Sequence, residues 1–517
     1  MKKISLILVP ILLLASFVSF SWLSKPRGYL TFSDSAKFAD AARSFNKGLG
    51  LVTNHSFFDE SILKFHLDDN GWKLSSYPIT PLLYSLLFRL FGESDKILII
   101  FGGLLFVLAG FVTHCLSEKI FGNKVSLISI FLFSFNPFLL EYAYNATSEI
   151  VLIFLFVLTG YIFVSNEKKQ LLTIIPLSLT IFTRQQGILI FAALLLFLLN
   201  ELWRKYGHVS FFVVITFFTI IYLVLINTIC KYDTCAYSPS RILGPIWQSS
   251  SVAPGVFLRG AVDSVPRLTP IGLTSKIFYN FYNFLKSPDR LVPGLVLGFS
   301  IIGMYCCYSR DSKNSHRLLY LTISNLFLFV LAASATLPNA RYIHPILPFI
   351  LIFSALGIVK TINNRYVVLI LTILLIFPTL GDIYVDYRFK NKILNYDRPP
   401  IYKLISDKVS AEINSSSLIV TNMDAWMSWY GKLKTMWFPL SPNQLQGYNP
   451  EYLVLTSYNT DDGDFSLGEW KDILVNPKVP SNKFLLENYE LKSDIRLGSN
   501  GVFENRDVKI VILKLKK

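Results

Sequence analysis

Thr31-Phe32-Ser33-Asp34-Ser35-Ala36-Lys37-Phe38-Ala39-Asp40-Ala41-Ala42-Arg43 follows closely on the first apolar run of the chain, about residues 4–23. Phe38, Ala41, Ala42, Phe45 and Leu49 fall on one stripe at helical spacing, so the stretch reads as an amphipathic helix on the outer membrane surface. Asp34 stands at or near its N-cap. A carboxylate there suits two roles. It can cap the helix and favour the positive N-terminus, or it can act as a general base that takes a proton from an attacking hydroxyl or amine.

The rest of the chain sets that helix in a membrane. Of 517 residues, 52% are hydrophobic and only 16% charged, with a mean hydropathy of +0.47. Soluble domains carry about 25% charged residues, so one soluble core does not explain the composition. Eleven windows are apolar enough to cross a bilayer: about 4–23, 95–116, 125–140, 149–165, 170–185, 187–203, 208–229, 290–308, 317–337, 343–360 and 366–382. Thr183-Arg184-Gln185-Gln186-Gly187 divides the fifth from the sixth, because it is too polar for a lipid-exposed middle. With the N-terminus inside, every inner loop is short and basic. These loops hold Lys119 and Lys124, Lys168 and Lys169, Arg204 and Lys205, Arg310, Lys313 and Arg317, then Lys360 and Arg365. The same rule accounts for much of the net charge of +15 and argues against a nucleic-acid partner. Met1-Lys2-Lys3 and the apolar run after it read as an uncleaved first span, with no clear small-x-small cleavage site following.

The expected fold is thus an α-helical polytopic membrane protein with a small C-terminal extracytoplasmic α/β domain. Residues 1–384 form the membrane module and 385–517 the polar domain. Outside the membrane lie loops 24–94 and 230–289 and the tail. Pro78 to Phe91 is too short to span and suits an interfacial helix, whereas 230–289 is rich in Pro, Gly and Ser with little periodicity. In the tail, the apolar runs at 417–420, 452–455 and 509–513 read as buried strands, 399–413 as a helix, and Asp424 to Gly431 as a core strand and turn. Cys230 and Cys235 are close enough in sequence for a local disulfide, which spacing alone does not establish. His55, Asp59, Glu60, His66, Asp68 and Asp69 crowd the first loop in a spacing that matches no particular metal site, and a solvated loop is the simpler reading.

Several short motifs, in order, resemble the polyprenyl-phosphate-sugar-dependent glycosyltransferases of the GT-C fold, which include the protein O-mannosyltransferases and the lipid A aminoarabinose transferases (family 39-type). They are Phe32-Ser33-Asp34-Ser35, then Tyr77-Pro78-Ile79-Thr80-Pro81-Leu82 through Leu90-Phe91-Gly92, and Asn136-Pro137 with Ser148-Glu149. Thr183-Arg184-Gln185-Gln186-Gly187 and Arg341-Tyr342-Ile343-His344-Pro345 complete the set. Ser35 stands where the mannosyltransferases often carry a second acidic residue. The resemblance covers about residues 1–360.

It implies an inverting transfer without metal or cofactor, in a multi-pass plasma-membrane protein. The sugar moves from a polyprenyl-phosphate donor to a glycan, lipid or protein acceptor outside the cytoplasm. Asp34 becomes the catalytic base. Arg341, beside Tyr342, and Arg184 become the groups that meet the leaving phosphate, which needs positive charge and donors. Both arginines also suit snorkelling to the interface. Glu149 either orients an arginine or the sugar, or answers the dipole of the helix it begins. His344 either hydrogen-bonds phosphate or acceptor, or is an interfacial histidine. Asp40 reads as a solvated helix position. Two rival functions remain. A transporter or flippase of lipid-linked substrates would show repeated halves and midplane charges, and neither stands out; a non-catalytic glycan-binding membrane protein would bind sugar without turnover.

Overall fold

The computed structural model describes residues 2–56, 72–73, 77–165, 172–206, 216, 244–247, 268–286, 292, 294–310, 312–336, 338–388, 396–448, 450–458, 467–498 and 507–516. Helix α1 (Lys2–Ser24) turns Leu13, Phe17 and Phe20 inward and leaves Ile11, Leu14, Val18 and Trp22 exposed. A helix apolar on both faces belongs in lipid. Helix α2 (Ser33–Asn46) follows. Strand β1 (Val52–Thr53) then pairs antiparallel with β3 (Trp72–Lys73), and β2 (His55–Ser56) leaves for a different sheet. Helix α3 (Ile79–Phe91) is about 20 Å long, shorter than the bilayer core of about 30 Å. It buries Tyr84, Ser85 and Phe88 and exposes Leu86, Leu90 and Phe91, as an interfacial helix should.

The helices continue as α4 (Asp95–Phe121), α5 (Asn123–Ser134), α6 (Pro137–Tyr144), α7 (Ser148–Ser165), α8 (Ile174–Ile181), α9 (Gln185–Tyr206), α10 (Pro270–Lys286), α11 (Gly294–Tyr308), α12 (Lys313–Ala335), α13 (Leu347–Thr361) and α14 (Arg365–Arg388). Among the described residues, four helices are long and apolar enough to cross a membrane singly, and the α5–α6 pair, bent by 58°, has the length and composition of a broken span or a re-entrant loop. Others, such as α7 and α11, are apolar but shorter. A helical multi-span fold stands, and the count of eleven remains an expectation. The window 208–229 lies almost wholly outside the described residues, as do Cys230, Cys235 and the loop residues Asp59 to Asp69. The bend is built by Asn136, whose side chain accepts from the Leu139 amide at 3.1 Å, with Pro137 at the first turn where it needs no N–H.

One expectation fails in the 230–289 loop. Residues 270–286 form α10, which exposes Ile271, Phe278, Tyr282 and Leu285 and is tied down by Asn280 Nδ2, which donates to the Ser334 carbonyl at 2.8 Å. Its helical stripe is legible within that window; the Pro, Gly and Ser content of the loop as a whole obscures it.

Glycines set the closest helix contacts. A Cβ at Gly102 on α4 would lie 1.9 Å from the Ala143 carbonyl oxygen on α6. Gly303 on α11 and Gly357 on α13 face each other with the same tightness, 1.8 and 2.0 Å from opposing carbonyls. Small residues let backbones meet in this way in lipid. Gly303→Val is expected to lower the melting temperature in detergent by several degrees, through a forced separation of α11 and α13; an unchanged melt would show that the pair tolerates it.

The tail contains α15 (Ile401–Glu412), β4 (Leu418–Thr421), α16 (Asp424–Gly431), β5 (Lys434–Trp437), β6 (Tyr452–Thr456), α17 (Lys471–Val475), α18 (Lys483–Asn488), β7 (Tyr489–Leu497) and β8 (Val508–Leu515). Its six-stranded sheet runs β2-β5-β4-β6-β8-β7, parallel from β2 to β6 and antiparallel across β8 and β7. Two findings correct the sequence reading. The edge strand β2 comes from the segment between α2 and α3, so the sheet is not confined to the tail. Asp424 to Gly431 is a helix: Trp426 and Tyr430, four residues apart, stack on one face with Tyr402, and Lys432 ends the helix in the left-handed conformation (φ +53°).

Candidate active site

The N-cap of α2 is Phe32, which makes no side-chain cap bond, and Asp34 lies inside the first turn. Capping therefore does not explain Asp34. The start of the helix is fixed instead by Asn145, whose Oδ1 accepts from the Thr31 and Phe32 amides at 2.6 and 3.0 Å. Asn145 leads into a tight turn through Ala146 (φ +48°), whose carbonyl accepts from the buried Tyr84 hydroxyl. Ser148 and Glu149 then begin α7. The same turn thus positions both Asp34 and Glu149.

Arg341, in a 3-10 turn (Ala340–Tyr342) between α12 and α13, closes the cluster. Its Nη2 donates to Asp34 Oδ2 at 2.8 Å, and its Nε donates to Glu149 Oε1. Arg184 reaches the same Glu149 oxygen at 2.7 Å and the Ser148 hydroxyl at 2.8 Å. Glu149 is fully buried, while the Asp34 side chain keeps 46% of its surface open. Two guanidiniums on one buried carboxylate explain why that charge is tolerated: without them it would be an unpaired buried ion. The other Glu149 oxygen, Oε2, is buried with no hydrogen-bond partner among the described residues.

Burial tends to raise the Asp34 carboxyl, but the charges of Arg341, Arg184 and Lys37 outweigh it and hold the pKa below the ordinary value. Burial pushes the Tyr342 phenol up, against the pull of the two arginines, so its hydroxyl stays a donor beside them. His344 is buried; its Nδ1 lies 2.6 Å from the Tyr142 hydroxyl and its ring 4.2 Å from that of Phe138, so it braces the turn beneath Arg341.

Asp34, Arg341, Arg184 and Glu149, widely separated in sequence, are thus brought into direct contact. Asp40 is not solvated, as expected from sequence; it is fully buried. Its Oδ1 binds Arg43 and its Oδ2 accepts from the Asn54 amide at 2.5 Å, while Arg43 donates to the carbonyls of Ser428 and Trp429 at 2.6 and 2.9 Å. The pair locks α2 to the end of α16. Arg43→Gln would leave Asp40 buried and unpaired, at a cost of about 3–5 kcal/mol; the expected reading is a marked fall in thermal stability and faster proteolysis of the tail. Sequence reasoning missed Asp424, in the first turn of α16. Burial pushes its carboxyl up to about 6, and it lies near enough to Asp34 and Lys37 to feel both charges. Its only sequence signal was an acidic residue opening an aromatic segment. Among the described residues, no three His, Cys, Asp or Glu side chains cluster in a way that would hold a metal ion.

Residues 75–227 match the family model of the dolichyl-phosphate-mannose-protein mannosyltransferases. No curated protein matches the chain in sequence. Among solved structures, ArnT from Cupriavidus metallidurans bound to undecaprenyl phosphate is similar over 99% of this chain and 98% of that one, at 11% identity and a TM-score of 0.55. The oligosaccharyltransferase AglB from Archaeoglobus fulgidus, in complex with an inhibitory peptide and a dolichol-phosphate, is similar over 88% of this chain and 69% of that one, at 13% identity and a TM-score of 0.55. An Archaeoglobus fulgidus oligosaccharyltransferase tethered with an acceptor peptide gives a TM-score of 0.58 at 13% identity, over 88% of this chain and 69% of that one. The resemblance read from the motifs is therefore borne out in the fold: this chain has the GT-C fold of the polyprenyl-phosphate-sugar glycosyltransferases.

Proposed function

We propose that this chain is an integral-membrane glycosyltransferase that moves a hexose or pentose from a polyprenyl-phosphate donor to an extracytoplasmic glycan, lipid or protein, with inversion. The observation that carries the reading is Arg341 shared between the half-open Asp34 and the buried Glu149. The undecaprenyl phosphate and dolichol-phosphate bound in the two structural neighbours fit the same donor class. In this reading the N-terminus lies in the cytoplasm and the tail outside, which the basic loops assigned to the inner side support.

In the reaction, the acceptor hydroxyl or amine attacks the anomeric carbon. The bond from that carbon to the phosphate oxygen breaks, its electron pair leaves with the polyprenyl phosphate, and the acceptor proton passes to Asp34. Arg341 and Arg184 meet the charge that grows on the leaving phosphate, with Tyr342 as a neutral donor. Glu149 Oε2, which has no hydrogen-bond partner among the described residues, can accept from a donor hydroxyl. His344 supports the turn that carries Arg341, and Asp40 holds α2 through Arg43.

A base whose pKa is held down is a poor base. The donor resolves this. Its phosphate competes with Asp34 for Arg341, and as the guanidinium turns to the phosphate, the Asp34 carboxylate loses its strongest cation and becomes more basic. Proton acceptance is thereby linked to an occupied donor site.

The test is transfer by the purified protein from a panel of polyprenyl-phosphate hexoses and pentoses, with a crude envelope fraction as acceptor. Release of free polyprenyl phosphate that depends on the acceptor is expected, and it should survive EDTA because two guanidiniums supply the positive charge. Movement of intact donor across proteoliposomes without consumption would instead support a flippase. Binding of sugar without turnover across the whole panel would support a glycan-binding protein.

A further inference from the structure

A polar cavity of about 590 Å³ lies between the membrane module and the tail, and the Asp34 cluster has no part in its lining. Arg27, Glu93 and Lys96 line it from the outer ends of α1 and α4, and Lys403, Tyr430 and Lys432 from the tail. We propose that it binds the phosphodiester of an anionic phospholipid in the outer leaflet, and that this lipid fastens the tail to the membrane.

The charges point to an anion. Three lining cations are already engaged. Arg27 pairs with Asp397 at 2.5 Å and Lys403 with Asp407 at 2.7 Å, while Arg43 is held by the buried Asp40. Lys96 and Lys432 have no carboxylate within ion-pair distance among the described residues, yet both line the cavity, one from each side of the cleft. Lys96 is not a freely waving chain, since its stem packs across Gly28: a Cβ on that glycine (φ +81°) would lie 2.8 Å from Lys96 Cε. The lining carboxylates restrain the choice of anion. Asp95 is satisfied by Trp429 Nε1 at 2.7 Å, the Tyr430 hydroxyl at 2.5 Å and the Leu30 amide at 3.3 Å. Glu93 remains in the lining and opposes a dianion more than the single charge of a phosphodiester.

A neutral sugar fits less well. Carbohydrate would need an open aromatic face, and the Trp429 ring is already covered by Phe88, stacked at 5.7 Å, and by the Arg43 guanidinium at 4.8 Å. A lipid fits better than free phosphate because of what lies below. Under Arg27, whose guanidinium sits 3.8 Å from the Trp22 ring, α1 exposes Ile11, Leu14, Val18 and Trp22 at helical spacing. Under Lys96, α4 exposes Ile100, Leu104 and Leu108 at four-residue steps. The cavity thus stands at the head of two neighbouring apolar stripes, as a headgroup does over its acyl chains.

Native mass spectrometry of the full-length protein in detergent tests this without any transferase assay. Phosphatidylglycerol is titrated against zwitterionic phosphatidylethanolamine, with its deacylated headgroup, the phosphodiester glycerophosphoglycerol, as a soluble competitor. The tightest single equivalent is expected to be phosphatidylglycerol. It should weaken by about tenfold or more in the Lys96→Gln/Lys432→Gln double variant and stay unchanged in Lys408→Gln, an exposed lysine outside the cavity. Both cavity lysines are exposed, so the variants keep the fold. Equal binding of the two lipids, or an unchanged double variant, overturns the site. Displacement by glycerophosphoglycerol at concentrations similar to those of the lipid overturns the lipid and leaves a site for a soluble phosphodiester.

Discussion

Asp34→Asn is expected to lower turnover by about 10²- to 10⁴-fold, the range that a positioned general base supplies. Asparagine keeps the size and can still accept a hydrogen bond from Arg341, so the fold should hold. Donor binding should hold or tighten, because the substitution removes the carboxylate that competes with the phosphate for that arginine. The split between turnover and donor affinity is the informative reading. A residue that served only to seat the first turn of α2 would lose both together, and Asn145 already performs that task through its bonds to Thr31 and Phe32.

Arg341→Met is expected to be as severe for a different reason. It removes positive charge from the leaving phosphate, about 10²- to 10³-fold in turnover by analogy with lost anion-stabilising donors. It also weakens donor binding. It leaves Glu149 with Arg184 alone and Asp34 without its nearest cation, so burial then dominates and the Asp34 pKa rises. Arg341→Lys should recover little, since one ammonium lacks the planar fork that lets Nε and Nη2 hold two carboxylates at once. Kinetics with a soluble donor analogue, followed over pH, would check both statements. Should Arg341→Met keep full donor affinity, the phosphate lies elsewhere.

The pH dependence follows from the same ion pair. Asp34 has a depressed pKa in the folded protein, so its pairing contributes stability above the ordinary carboxyl value near 3.8, and that contribution is lost as pH falls through the lower folded value. In the proposed donor complex the carboxylate would give up Arg341, and its pKa is expected to move upward.

Much of this was open to reading in the sequence because membranes simplify it. Long apolar windows and basic loops are imposed by the bilayer itself, and the helices at 2–24, 95–121 and 313–335 follow from them. The candidate site was legible as a set of charges at helix ends, since Asp34, Glu149, Arg184 and Arg341 each sit where a charge in a lipid-bound chain calls for a partner. What sequence did not show is which charge pairs with which, because that depends on a fold bringing residue 34 to residue 341. Asp40 was misread for the same reason. On an isolated amphipathic helix it belongs to the polar face, and only the approach of α16 from the tail buries it. Residues 55–56 are too few to carry a strand pattern alone; β5 supplies their partner. The Asp424–Gly431 helix was hidden by its aromatic, strand-like composition, where tertiary stacking on Tyr402 outweighs propensity.

The central claim is that the donor phosphate takes Arg341 from Asp34 and so makes Asp34 basic enough to act. Its most direct test is the pair of acid limbs in the wild-type pH profile, measured under conditions where transfer limits the rate. The limb of kcat/KM reports the free enzyme and that of kcat the donor complex. The account predicts that the kcat limb lies at the higher pH, and that Arg341→Lys narrows the gap. Coincident limbs, or a kcat limb at lower pH, would contradict it.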